Sequence, residues 1–103
     1  MIRIGKYHII EYHGKKLDVT EAKYPSGRIA LQATDHETGE PFDVLTVNIP
    51  AYDKDFPESD MIYLNVNHVP GILDTLQKAG LVDNVYDYIW SGYCTYPVVR
   101  WIG

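Results

Sequence analysis

Short runs in which apolar and polar residues alternate, each ended by turn-forming residues, are the feature of this sequence that most constrains its fold. In residues 28–34, three apolar residues occupy alternate positions, and Arg28 falls with the polar residues on the opposite face. This period of two is typical of strands in an antiparallel sheet with one solvated face. Other alternating or β-favouring runs cover residues 2–12 (most clearly 7–12), 17–22, 42–49 and 61–66.

The last third of the chain predicts one helix and a closing strand. Apolar residues recur at helical spacing from Ile72 to Ala79, and Gly80 is well placed to cap the carboxyl end. Residues 83–90 fit a helical face and a strand equally, and we assign them as irregular or helical. Residues 93–102 are expected to form a strand. Within it Pro97 favours an edge position or a bulge, because proline has no backbone N–H.

Length and composition predict a single domain over residues 1–103, since 103 residues with 46% hydrophobic content suit one core. We expect the α+β class, with a largely antiparallel sheet of five or six strands and one or two short helices packed on one face. The lone Cys94 cannot close an intrachain disulfide, and no run approaches the roughly 20 apolar residues that cross a bilayer. The amino terminus lacks the apolar run of a signal peptide. These features predict a cytoplasmic protein that does not contact membranes.

Charge is distributed unevenly along the chain. Residues 1–34 carry six basic and three acidic side chains, whereas residues 35–103 carry three basic and eleven acidic ones. Within residues 35–60 there are eight acids and a single basic residue, Lys54. The net charge of −5 argues against a general nucleic-acid binder, which needs a basic footprint. The acidic run is either a solubilising face or a surface whose carboxylates mimic a phosphate backbone.

The sequence lacks recognisable catalytic and metal-binding motifs. The four histidines occur singly, without an HxH or HExxH pattern, and neither a CxxC pair nor a glycine-rich phosphate loop is present. Cys94 can be interpreted as a nucleophile or as a small buried apolar side chain, and the second is the commoner role in a strand. We therefore predict no catalytic residue, no metal and no cofactor, and interpret the protein as a non-enzyme.

Aromatic residues are dense, at 13% of the chain, and concentrate near the carboxyl terminus. Tyrosine, tryptophan and arginine dominate the binding energy of protein interfaces, so such a segment is suited to gripping a partner. The same rings also suit a small core, and alternation along a strand allows both roles. Six of the rings lie in the last eighteen residues: Tyr86, Tyr88, Trp90, Tyr93, Tyr96 and Trp101.

Two segments resemble a known group of proteins. Within residues 28–50, the turn Gly-Glu-Pro of residues 39–41 precedes the strand Leu-Thr-Val-Asn-Ile-Pro of residues 45–50, and residues 91–97 spell Ser-Gly-Tyr-Cys-Thr-Tyr-Pro. In this order they resemble a family of small uncharacterised proteins carried on phages and conjugative elements of gut bacteria. Residues 1–27 and 86–90 depart from that pattern. The resemblance implies an accessory protein that disarms host defences by binding, and it supplies no catalytic residues.

Our leading hypothesis is a non-enzymatic binding module of a phage or mobile element that inhibits a bacterial defence system, such as a CRISPR effector or a restriction enzyme. Its partner would be a bacterial protein and not nucleic acid, and homo-oligomerisation stays open. The alternative is a sponge that holds a nucleotide signal between aromatic residues at an oligomer interface, with Lys15, Lys16 and Arg28 contacting its phosphates. The predicted partner-binding residues are Tyr52, Asp53, Asp55, Glu58, Asp60, Tyr93, Tyr96 and Arg100.

Overall fold

The alternating runs of the first half of the chain form a four-stranded antiparallel sheet. The computed structural model describes residues 7–103, and in it each strand pairs with the next along the chain. His13 and Gly14 connect the first two strands in a two-residue turn, both with positive φ (50° and 77°), as a type I′ hairpin requires. The strands are β1 (Tyr7–Tyr12), β2 (Lys15–Lys23), β3 (Ile29–Asp35) and β4 (Pro41–Val44).

The second half of the chain forms a three-stranded antiparallel sheet and one α-helix. The strands are β5 (Met61–Tyr63), β6 (Asp87–Ser91) and β7 (Cys94–Arg100), in the spatial order β5-β7-β6. A short 3-10 helix (Pro50–Tyr52) begins the loop that leads into β5, and the α-helix α1 spans Ile72–Lys78. Among the described residues no helix is long and apolar enough to span a membrane.

A short extended segment after β4 joins the two sheets. The Leu45 N–H donates to the Leu31 carbonyl at 2.8 Å, which continues the pairing with β3. On its other side the Leu45 carbonyl accepts from the Asn65 N–H at 2.9 Å, and Thr46 forms an isolated antiparallel bridge with Leu64. The predicted strand 42–49 therefore ends at Val44. Beyond Leu45 the chain leaves β3 and forms hydrogen bonds with residues 63–65 instead.

β5 and β7 are buried on both faces, and this divides the core in two. Ile62 and Val99 point into the larger cluster beneath the four-stranded sheet, where they meet Leu17 and Leu31. The alternate residues, such as Tyr63, point into a smaller cluster on the opposite side. A strand buried on both faces needs apolar residues throughout, and all three residues of β5 are buried.

Helix α1 is held on the larger core by its apolar stripe. Ile72 and Leu76, four residues apart, are fully buried. A helix of seven residues is too short to persist in water by itself, so this burial stabilises it. The Tyr12 hydroxyl donates to the Pro70 carbonyl at 2.7 Å and thereby ties the start of the helix to β1.

The clearest departure from the sequence prediction is in residues 87–90, which belong to strand β6 (Asp87–Ser91) and are not irregular or helical, whereas residues 83–86 are irregular as predicted. Pairing with β7 places Ile89 in the smaller core, while Tyr88 and Trp90 on either side of it point outward. The local sequence fits both a helical and a strand periodicity, and pairing with β7 selects the strand. The expectation of one sheet of five or six strands is also corrected. The described residues form seven strands in two sheets, together with one α-helix and one short 3-10 helix.

Pro97 lies in the central strand of its sheet and not at an edge. Its carbonyl accepts the Leu64 N–H at 3.1 Å, but Pro97 has no N–H with which to return a bond. The β5 ladder ends at Tyr63, opposite Val98, and so stops one residue before Pro97 would have to donate. Of the predicted first run, residues 2–6 lie outside the described residues, as does the amino-terminal segment considered for a signal peptide.

The connection between the two sheets makes Asn65 a sensitive position. Its buried side chain donates to the Val44 carbonyl at 2.9 Å, whereas exposed Asn67 donates to the Thr95 carbonyl at 3.2 Å. We expect Asn65→Ala to lower the free energy of unfolding by about 1–3 kcal/mol, because the Val44 carbonyl loses its donor and the buried amide is replaced by a smaller side chain. Asn67→Ala is the matched control and should cost less than about 0.5 kcal/mol. Urea unfolding measures both, and equal losses would contradict a special role for Asn65.

Candidate functional site

A buried arginine organises the acidic loop of residues 53–61. Arg28 is only 4% exposed, although the alternating pattern placed it on the solvated face. Its Nε and Nη2 atoms each lie 3.1 Å from Oδ1 of Asp53, and Nη1 donates to the Glu58 carbonyl at 3.1 Å. The guanidinium also donates to the carbonyls of Phe56 and Met61. One side chain thus fixes the loop at four points.

Tyr63 completes this anchor from the β5 side. The guanidinium carbon of Arg28 lies 4.7 Å from the centre of the Tyr63 ring, and the Tyr63 hydroxyl donates to Oδ1 of Asp53 at 3.0 Å. Burial is the main cause that raises the pKa of Tyr63, and the hydrogen bond to Asp53 raises it further. The phenol therefore stays protonated in the folded protein well above the pH at which tyrosine normally ionises.

The predicted acidic residues of the loop separate into paired and exposed groups. Asp53 is neutralised by Arg28, and both carboxylate oxygens of Asp60 accept from Nη1 of Arg100, at 3.0 and 3.2 Å. Asp55 and Glu58 have exposed side chains. Asp53 is thus held by buried Arg28, Asp60 and Arg100 form a half-exposed pair, and Asp55 and Glu58 are the exposed predicted acids of the loop.

Aromatic rings cover the outer face of β6 and the hairpin that follows it. The exposed fraction is 71% for Tyr86, 49% for Tyr88 and 61% for Trp90, and Tyr93 is fully exposed. Gly92, with φ of 60°, precedes Tyr93 in the two-residue turn between β6 and β7, and glycine suits that left-handed position. The turn holds the Tyr93 ring at the tip of the hairpin.

A groove runs between the acidic loop and β6. The Tyr52 hydroxyl accepts the Trp90 N–H at 3.2 Å, and the Phe56 ring contacts the Tyr86 ring edge to face, with 6.1 Å between centroids. These contacts hold the loop against the strand on either side of a cleft of about 340 Å³. We call it the acidic aromatic groove, and it is lined by Tyr52, Asp55, Phe56, Tyr86, Asp87, Tyr88 and Ile89.

Two of the eight predicted partner-binding residues, Tyr52 and Asp55, line the groove. Tyr93 stands at the hairpin tip, and Glu58 is exposed on the loop outside the groove lining. Tyr96 is half-buried and packs against the smaller core, where burial raises the pKa of its hydroxyl.

Apart from Phe56 of the acidic loop, the groove residues that the prediction omitted come from the segment assigned as irregular or helical. Tyr86 and Tyr88 lie two apart with Asp87 between them, and the same spacing continues to Trp90 after buried Ile89. That alternation is a strand signal, and treating residues 86–90 as a strand would have placed these rings on one outer face.

Two of the basic residues considered for phosphate binding, Arg28 and Lys15, lie next to carboxylates of the protein. Arg28 is enclosed by its partners in the loop, and Nζ of Lys15 lies 3.5 Å from a carboxylate oxygen of Asp35. Hydrogen bonds from the N–H groups of Thr38 and Glu37 lower the pKa of that Asp35 carboxylate. Within residues 7–103, no group of three or more His, Cys, Asp or Glu side chains is arranged to hold a metal ion.

The role of Arg28 is tested by comparing it with Arg100. Arg28→Met leaves the Asp53 carboxylate and three carbonyls without their cation, so we expect a loss of about 3–5 kcal/mol in the free energy of unfolding. Arg100→Met breaks a half-exposed pair and should cost at most about 1 kcal/mol. Denaturant unfolding followed by circular dichroism gives both values. Similar losses for the two variants would show that Arg28 does not organise the loop.

The raised pKa of Tyr63 predicts a loss of stability at alkaline pH. Above about pH 10 the unfolded chain loses the Tyr63 proton while the folded chain keeps it, so stability falls as the pH rises. Between about pH 8 and pH 10.5, Tyr63→Phe should lose about 0.5–1 kcal/mol less stability than the wild type. Exposed Tyr93→Phe is the control and should follow the wild type. If Tyr63→Phe also follows it, Tyr63 ionises normally.

Most of the chain matches one known protein family. Residues 16–102 match the family described as Domain of unknown function (DUF4313), a range that contains the acidic loop, the groove and the aromatic hairpin. Comparisons with curated proteins and with solved structures found no match. Since the match covers far more than half of the sequence, the chain belongs to the DUF4313 family.

Proposed function

We propose that this protein is a non-enzymatic module that binds a protein partner through the acidic aromatic groove and the rings beside it. The observation that carries the proposal is the exposure of Tyr86, Tyr88, Trp90 and Tyr93 along one strand and its hairpin. Tyrosine and tryptophan are enriched among the residues that dominate binding energy, and contiguous exposed apolar area marks interaction sites.

The charge of the groove supports a partner with a basic surface. Asp55 and Asp87 are exposed at its lining, and Glu58 is exposed on the neighbouring loop. Opposite charge on a partner would steer its approach and fix its orientation. Surfaces that bind nucleic acid are basic, so a nucleic-acid-binding protein presents the complementary chemistry.

The more specific proposal is an inhibitor of a bacterial defence system, such as a CRISPR effector or a restriction enzyme. It is supported by the resemblance of residues 28–50 and 91–97 to proteins of phages and conjugative elements. By occupying the basic groove of a defence nuclease, such an inhibitor would exclude its DNA. Of the three basic residues that the competing nucleotide sponge would use, Arg28 is buried, and only Lys15 and Lys16 are exposed.

Phage plating tests this function directly. Cells that carry a defined restriction or CRISPR system should plate phage more efficiently when they express the wild type. Tyr88→Ala/Trp90→Ala should lose this effect by at least about tenfold, since truncating an interface anchor costs about 2 kcal/mol or more in binding. Ile9→Ala/Ile102→Ala is the matched control, because both residues are about half exposed and lie elsewhere.

Affinity capture of the tagged proteins from the same cells gives the second readout. A defence protein bound by the wild type and the control, but not by Tyr88→Ala/Trp90→Ala, would support the proposal. Retention of the partner by that variant would contradict the proposed surface. A nucleotide released from denatured wild-type protein would instead support the sponge.

A further inference from the structure

The backbone N–H groups at the free edge of β6 already donate hydrogen bonds to side chains of the protein. The Tyr88 N–H donates to Oδ1 of Asp87 at 2.8 Å, and the Trp90 N–H donates to the Tyr52 hydroxyl at 3.2 Å. In an antiparallel pair, residues whose N–H groups point away from the partner strand also point their carbonyls away. The edge therefore directs carbonyl acceptors outward while its two N–H donors are occupied by side chains.

This pattern disfavours a partner that adds a strand to β6. Strand addition needs both donors and acceptors from the edge, and natural sheets block such pairing by occupying or covering their edges. A ligand that donates hydrogen bonds and needs no donor from the protein fits this edge better. Asp55 and Asp87 add further acceptors, and none of the described residues that line the groove is basic.

The interior of the protein shows how this chain binds a guanidinium. Arg28 lies over the ring of Tyr63, pairs with the carboxylate of Asp53 and donates to backbone carbonyls. The groove offers the same kinds of group. Its lining supplies tyrosine rings (Tyr86, Tyr88) and carboxylates (Asp55, Asp87), and the register of β6 directs the Tyr88 carbonyl away from β7, toward the free edge of the sheet.

We propose, on the basis of the binding function above, that the acidic aromatic groove takes an arginine side chain of the protein partner. A guanidinium has five N–H donors and no acceptor, and its plane stacks on aromatic rings. A lysine ammonium is a compact, strongly hydrated charge and uses the rings less well. The cleft of about 340 Å³ is within the usual range of ligand sites, so it has room for the side chain and its aliphatic stem.

Two labelled peptides of equal length and charge, hexa-arginine and hexa-lysine, test the inference by fluorescence anisotropy at about 0.15 M salt. We expect the wild type to bind hexa-arginine about five- to tenfold more tightly than hexa-lysine, because cation–π and bidentate contacts favour arginine. Tyr86→Leu/Tyr88→Leu keeps the charge and should reduce the arginine affinity to the lysine level.

The carboxylates are tested with a second pair of variants. Asp55→Asn/Asp87→Asn should weaken hexa-arginine binding by about tenfold, and the amide oxygen introduced by Asp87→Asn can still accept the Tyr88 N–H. Glu37→Gln/Glu40→Gln removes the same charge from the exposed turn between β3 and β4 and should change the affinity by less than about twofold. Circular dichroism confirms that each variant is folded.

Equal affinity of the wild type for the two peptides would overturn the arginine assignment, as would equal losses in the groove and control variants. The outcome is separable from that of the binding function. If Tyr88→Ala/Trp90→Ala loses its captured partner while the peptides bind alike, only the arginine assignment fails. If the groove variants abolish an arginine preference while every captured partner is retained, the arginine assignment stands and the proposed function fails.

Discussion

The burial of Arg28 is the interaction on which the candidate site depends. A guanidinium taken out of water needs its charge balanced and its donors satisfied, and the loop of residues 53–61 supplies the Asp53 carboxylate and three carbonyls. Because one of those carbonyls belongs to Phe56, the same contact positions the Phe56 ring against Tyr86. The wall of the groove is therefore held from inside the protein, by a residue that a ligand in the groove would not touch.

Ion pairs divide the acids of residues 35–60 into paired carboxylates and exposed ones. Residues 35–60 carry eight acids and one lysine, yet basic residues from elsewhere in the chain neutralise some of them in the fold. The pairs are Asp53 with Arg28, Asp60 with Arg100 and Asp35 with Lys15. Of the remaining acids of this run, Asp55 lines the groove, where Asp87 joins it, while Glu37 and Glu40 are exposed on the turn between β3 and β4. Paired carboxylates stabilise the fold, and the exposed ones determine which partner chemistry is complementary.

The differences in secondary structure between prediction and structure have one physical cause, which is strand pairing, because the periodicity of a single segment does not show its partner. Residues 86–90 satisfy a helical and a strand period equally, and β7 decides for the strand by pairing with it and burying Ile89. Pro97 is tolerated in a central strand because β5 ends where its missing N–H would be needed. Tyr52 and Asp55 of the groove were identified from the acidic and aromatic composition of the loop, whereas Phe56 was missed and the residues of β6 required the strand assignment first.

The sequence by itself determined the order of the α-helix and of every strand except β6: antiparallel strands in the first half, a helix ending before Gly80, and a closing strand. These follow from periodicity and turn residues, which act between neighbours in the chain. Only the tertiary structure decided that there are two sheets, that β7 is central and that Arg28 is buried. The partners of Arg28 lie 25–33 residues away, and alternation describes the faces of a strand but not what covers each face. The groove exists because that distant loop folds back over Arg28 and meets β6.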